Sequence, residues 1–90
     1  MASYEIVVYE CGVRKEGVLV AHKADVVTTF TRYVVNNTGP DGFYVDDKSA
    51  TSYSVFDLSQ NARYIRLFGY IDEEIKAGLK TAFTALLQRS

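Results

Sequence analysis

"DVVTTFTRYVVN", residues 25–36, decides the fold, because its two readings build different proteins. Nine of its twelve residues are β-branched or aromatic, side chains that lose rotamer freedom in a helix and pack well on a pleated surface. That composition favours a strand. The helical alternative has Asp25 as cap and a stripe of Val26, Val27, Phe30, Tyr33 and Val34. The strand is the expectation carried forward, and the helix would instead cover the far side of whatever sheet the remaining chain makes.

Outward from this stretch the punctuation is clearer. "SYEIVVYE", residues 3–10, alternates and is rich in β-branched and aromatic residues, so it reads as a strand. Cys11-Gly12 lets the chain reverse and return as residues 13–22, with residues 14–17 as the other place for the turn. "NNTGPDG", residues 36–42, is a strong turn signal. Two short strands, "FYVDD" (43–47) and "TSYSVFDL" (51–58), precede "RYIRLFGY" (63–70). Asp72 then caps a helix, with Glu73 and Glu74 in its first turn and Arg89 at its far end. Its stripe is Ile75, Leu79, Ala82, Phe83 and Leu86. Gly78, Ala82 and Ala85 beside that stripe would let the helix backbone approach a sheet closely. The expected fold is α+β: one domain over residues 1–90, a small antiparallel sheet of about five to six strands with the N-terminal hairpin first, and one C-terminal α-helix on one face.

Composition narrows function mainly by exclusion. Ten Lys and Arg against eleven Asp and Glu give a net charge of −1, which offers no long-range pull toward nucleic acid or anionic lipid. One cysteine, Cys11, and one histidine, His22, supply no disulfide and no zinc ligand set, so neither metal nor cofactor is expected. With the turn at residues 11 and 12, those two side chains fall at opposite ends of a strand, so a Cys–His pair is not expected either. The acidic residues Asp46, Asp47, Asp57, Asp72, Glu73 and Glu74 read as solvated or capping groups, and residues 37–42 lack the spaced carboxylates of a calcium loop. There is no phosphate-binding glycine loop and no nucleophile elbow. The opening "MASYEIVVYE" does not read as a signal peptide and no stretch reads as a membrane span, so a cytoplasmic location is expected; the sequon at Asn36 is then a chance match.

What remains is a surface. In residues 63–70, Ile65 and Leu67 point one way while Tyr64, Arg66, Phe68 and Tyr70 point the other. Tyr4, Ile6 and Val8 likewise oppose Val7 and Tyr9, and Val26, Phe30 and Val34 oppose Val27 and Tyr33. A sheet with one wet side alternates apolar with polar residues, and these strands do not. One helix shelters one face. The other is expected to bind, with Tyr64, Arg66, Phe68, Tyr70, Tyr9 and Tyr33 as its candidate residues. A sheet curled into a half-barrel, burying both faces, is the competing arrangement.

The expected function is therefore a non-enzymatic protein–protein interaction, with another protein or with a second copy as a homodimer. The alternative is a single-stranded nucleic-acid module that stacks bases on the Tyr/Arg strand. In size and make-up the chain looks like the small inhibitors that phages and mobile elements direct against host defence complexes, which work by occluding surfaces.

Overall fold

A computed structural model of the chain describes residues 3–46, 51–59 and 62–87. Strands β1 (Tyr4–Glu10) and β2 (Val13–Val20) form the first hairpin, followed by helix α1 (Val26–Asn37). Strands β3 (Phe43–Asp46), β4 (Ser52–Asp57) and β5 (Arg63–Phe68) lead to helix α2 (Glu73–Leu87). The five strands make one antiparallel sheet in the order β2-β1-β5-β4-β3, so β1 and β5, distant in sequence, are paired near its centre. The α+β architecture stands as expected, with one element changed.

That element is residues 25–36, which form a helix and not a strand. Strand alternation would have put Thr28 and Arg32 on the same face as Val26, Phe30 and Val34. A helical period separates them: Val26, Phe30 and Val34 are fully buried, while Thr28 and Arg32 are exposed. The helix-propensity penalty of β-branched residues is below ~0.7 kcal/mol each, a weak preference that tertiary packing overrides where, as here, a helical period buries the apolar stripe and leaves Thr28 and Arg32 in solvent. Asp25 makes no side-chain cap; the chain enters α1 through a short 3₁₀ turn, Lys23–Asp25. At the other end Asn37 Nδ2 donates to the Tyr33 carbonyl at 2.8 Å and Thr38 Oγ1 to the Val34 carbonyl at 2.7 Å. Both side chains fold back onto carbonyls near the end of the helix.

Both helices lie on the same side of the sheet. α1 sits over β1 and β5, and α2 lies beside it toward β4 and β3. Their stripes, Val26, Phe30 and Val34 with Ile75, Leu79 and Phe83, close on Tyr4, Ile6, Val8, Val20, Tyr53, Val55, Ile65 and Leu67. Phe83 is the hub, with its ring centroid 6.1 Å from Phe30 and 5.3 Å from Phe43, both edge-on. Gly78 provides the close approach anticipated for it, but toward the other helix: a Cβ there would sit 2.9 Å from Val27 Cγ2.

The first reversal falls at residues 11 and 12. Cys11 (φ 54°) and Gly12 (φ 77°) both take the left-handed region, the pair of conformations that a tight two-residue hairpin loop requires. Between Val8 and Tyr9 the β1–β2 register slips by one, which leaves Lys15 as a bulge on β2. Asp72 caps α2 as anticipated, its Oδ1 accepting from the Ile75 N–H at 2.9 Å. Arg89 lies outside the described residues.

Candidate functional site

The side of the sheet away from both helices is built by alternation and register. Ile65 and Leu67 point into the core, so Tyr64, Arg66 and Phe68 point out; on β1 the outward set is Glu5, Val7 and Tyr9. The ladders place Tyr9 opposite Tyr64, Tyr64 opposite Phe56, and Phe56 opposite Tyr44. One row of four rings therefore crosses four strands. Tyr9 and Tyr64 stack with centroids 4.9 Å apart, Phe56 and Tyr64 tilt at 5.2 Å, and Tyr44 and Phe56 stack at 4.9 Å. Such cross-strand ring pairs add to sheet stability beyond the area they bury.

The next row is Gly17, Val7, Arg66, Ser54 and Asp46. Arg66 Nε donates to Ser54 Oγ at 3.0 Å, and its guanidinium carbon lies 5.4 Å from the Tyr64 ring centre and 5.7 Å from that of Phe68. At these distances the cation is attracted by the negative faces of both rings. Val7 is fully buried although no helix covers this side, sheltered by these neighbours. Arg14 reaches across Gly17 to Glu5, 2.6 Å away, so that cation already has a partner on the same surface. Tyr9, Phe56, Tyr64, Arg66 and Phe68 are half-buried, and Tyr44 at the end of the row is 51% exposed.

Of the six residues singled out in the sequence, the structure gathers Tyr9, Tyr64, Arg66 and Phe68 on this face. Tyr70 leaves it: Gly69 (φ 138°) ends β5 with its backbone against the Tyr4 ring, and Tyr70 projects past the strand end. Tyr33 is on α1, packed against the core on the opposite side of the sheet. Two rings were missed, Phe56 and Tyr44. Alternation within "SYSVFD" and "FYVD" marks them as opposite in direction to the buried Val55 and the partly buried Phe43 and Val45, but only the strand order brings them beside Tyr64.

Other polar groups are spread through the fold. Cys11 is exposed at the hairpin tip and His22 is exposed beyond the other end of β2, about 26 Å of strand away at ~3.3 Å per residue. Asp57, buried, accepts from the Gly39 N–H at 3.1 Å and the Ser59 N–H at 2.9 Å, tying the α1–β3 connection to the end of β4. Lys23 binds Asp72 and Glu74, and these bonds, that to Asp72 first, raise the lysine's pKa above its ordinary value. Asp72 is lowered in turn by the Lys23 bond and then by the Ile75 N–H. Glu10 is lowered by the hydrogen bond from Arg63, 2.6 Å away. Among the described residues no three His, Cys, Asp or Glu side chains converge to hold a metal, and no helix is long and apolar enough to cross a membrane. On the helix side an open cleft of about 610 Å³ runs between α2 and β3–β4, floored by Val45, Tyr53 and Phe83 and edged by Lys76 and Lys80.

No protein-family model, curated protein or solved structure matches this chain.

Proposed function

We propose that the protein is a non-enzymatic binding protein that docks another protein on its helix-free aromatic face. The row Tyr9–Tyr64–Phe56–Tyr44 supports this reading, because it crosses four strands on the one side of the sheet to which neither helix contributes. Tyrosine and arginine are the side chains most enriched where interfaces bind tightly, since each offers a large apolar surface with a polar end. The rings stack on one another and so are ordered before any partner arrives, which lowers the entropy lost on docking. In this reading the chain acts by covering a surface of its partner, as small occluding inhibitors do. Nucleic-acid stacking fits less well: of the two arginines on the face, Arg14 is already paired with Glu5, and base stacking normally accompanies a basic track along the phosphates.

The test uses the full chain as bait with three forms: parent, Tyr64→Ala/Arg66→Ala, and Val35→Ala on the exposed side of α1. A protein retained by the parent and by Val35→Ala, and lost at least tenfold from the folded face variant, supports the reading. Retention by all three forms overturns it, as does binding of single-stranded oligonucleotides that weakens steeply with salt.

A further inference from the structure

We infer that the outer edge of β3, the last strand of the sheet among the described residues, pairs with the β3 edge of a second copy, joining two sheets through Tyr44. The inference is independent of what the aromatic face binds. β2 and β3 end the sheet, and the two edges are built differently. β2 carries Arg14, Lys15 and Glu16 in succession and a bulge at Lys15, both devices that discourage a further strand. β3, only Phe43, Tyr44, Val45 and Asp46, pairs with β4 in an unbroken register and has three apolar residues in a row.

The phase of the hydrogen bonds fixes how two such edges could meet. Leu58 N–H donates to the Gly42 carbonyl at 3.0 Å across the β3–β4 register, so Gly42 is a hydrogen-bonded position. Antiparallel ladders alternate, so Tyr44 and Asp46 also turn their backbone groups toward β4, while Phe43 and Val45 turn theirs outward. In an antiparallel pair about a two-fold axis, outward positions must meet outward positions. The register that keeps the pairing within β3 sets Phe43 against Val45 of the second copy and Val45 against its Phe43. The axis then passes at Tyr44. That register places Tyr44 opposite its own copy as a non-hydrogen-bonded pair, the geometry in which side chains come closest. Tyr44 is the outermost ring of the row and the most exposed of the four. Its symmetry mate continues the row into the second sheet, giving eight rings across one surface. Both helix layers stay on the opposite side, because the two-fold axis runs perpendicular to the sheet and keeps like faces together.

An edge of four residues gives an interface well below the standard size, so the dimer is expected to be weak and its formation concentration-dependent. Sedimentation of the full chain should show the mean mass rising from 10.1 kDa toward twice that value over about 10 to 1000 μM. Amide exchange at Phe43 and Val45 should slow with concentration, while Tyr44, bonded to β4, stays protected throughout. Val45→Pro removes an outward N–H without touching the β3–β4 ladder and should abolish the rise in mass. Should that variant fail to fold, Tyr44→Cys in a Cys11→Ser background replaces it: oxidised glutathione should couple two copies at Tyr44→Cys and not at Asp46→Cys. A strict monomer, or a dimer that persists in folded Val45→Pro, overturns the inference, as does equal coupling at positions 44 and 46.

Discussion

Replacing Gly78 by alanine tests the fold through the sign of its effect. On an isolated, exposed helix the change is stabilising, since glycine costs ~1 kcal/mol relative to alanine. In this protein the new methyl would lie 2.9 Å from Val27 Cγ2, the methyl of a β-branched side chain held on α1. Such a group cannot swing aside as a lysine end could, and overpacking of this kind costs ~1–3 kcal/mol. Subtracting the propensity gain leaves a net loss of about 1 kcal/mol, or about 4–8 °C in Tm for a domain of this size. In urea the midpoint should fall by about half a molar with the slope unchanged. The decisive arm is the cycle with Val27→Ala: once the opposing methyls are gone, Gly78→Ala should stabilise by up to ~1 kcal/mol, giving a coupling near 2 kcal/mol. If Gly78→Ala stabilises equally in both backgrounds, α1 does not rest on α2 at this point, and the assignment of residues 25–36 to this helix layer fails with it.

Three further outcomes follow from single contacts. Cys11→Asn should stabilise by about 0.5 kcal/mol, because the position requires φ 54° and asparagine tolerates that region better than cysteine; a lower denaturation midpoint would contradict the turn. Asp57→Ala should cost about 2–4 kcal/mol, since the N–H groups of Gly39 and Ser59 lose their common acceptor; a change under about 0.5 kcal/mol in urea titration would contradict the clip. Acidification should destabilise the protein through Asp72 and Glu10, whose folded pKa values are lowered, Asp72 by Lys23 and Glu10 by Arg63. Their contribution is complete above the ordinary carboxylate range and is lost as pH falls through the lowered folded values, so the midpoint should drop from about pH 5 downward. Lys23, raised in pKa, keeps its contribution throughout that range and loses it only in strong alkali. Asp72→Asn should flatten the acid limb; an unchanged pH profile would remove Asp72 from the account.

The sequence made the ends of the chain legible and hid the middle. Cys11-Gly12 and Asp72 act over a few residues, where the local chemistry of a turn or a cap is sufficient, and both perform as read. Residues 25–36 mislead because their β-branched and aromatic content points to a strand while the spacing of their polar residues points to a helix. Thr28 and Arg32 are the two side chains that a strand would have put on the same side as Phe30, and they were the signal for a helix. The half of the face formed by Tyr9, Tyr64, Arg66 and Phe68 could be drawn from alternation within single strands. Phe56 and Tyr44 could not, because their place depends on β4 and β3 lying beyond β5, and strand order is set by tertiary packing. Tyr70 was lost to a feature one residue away: Gly69 turns the chain before the alternation reaches it.

The second helix changes what the aromatic face means. Had α1 covered the far side, its rings would simply have been core. With both helices on one side, the rings shelter one another instead, and three pairs at ~0.5–1.5 kcal/mol each amount to a sizeable share of the stability expected for 90 residues. The face is therefore a structural staple as well as the docking surface proposed for it, and the two roles would respond differently to mutation. Removing Tyr64 breaks two ring contacts in the centre of the row and lowers stability together with any binding. Removing Arg66 breaks one hydrogen bond, to Ser54, and the cation's contact with two rings, and leaves the row itself intact. Arg66→Ala should thus separate the roles, with a smaller fall in the urea midpoint than Tyr64→Ala gives and partner retention that falls sharply. If Arg66→Ala retains the partner in full while Tyr64→Ala loses it only in proportion to its lost stability, the row serves the fold alone.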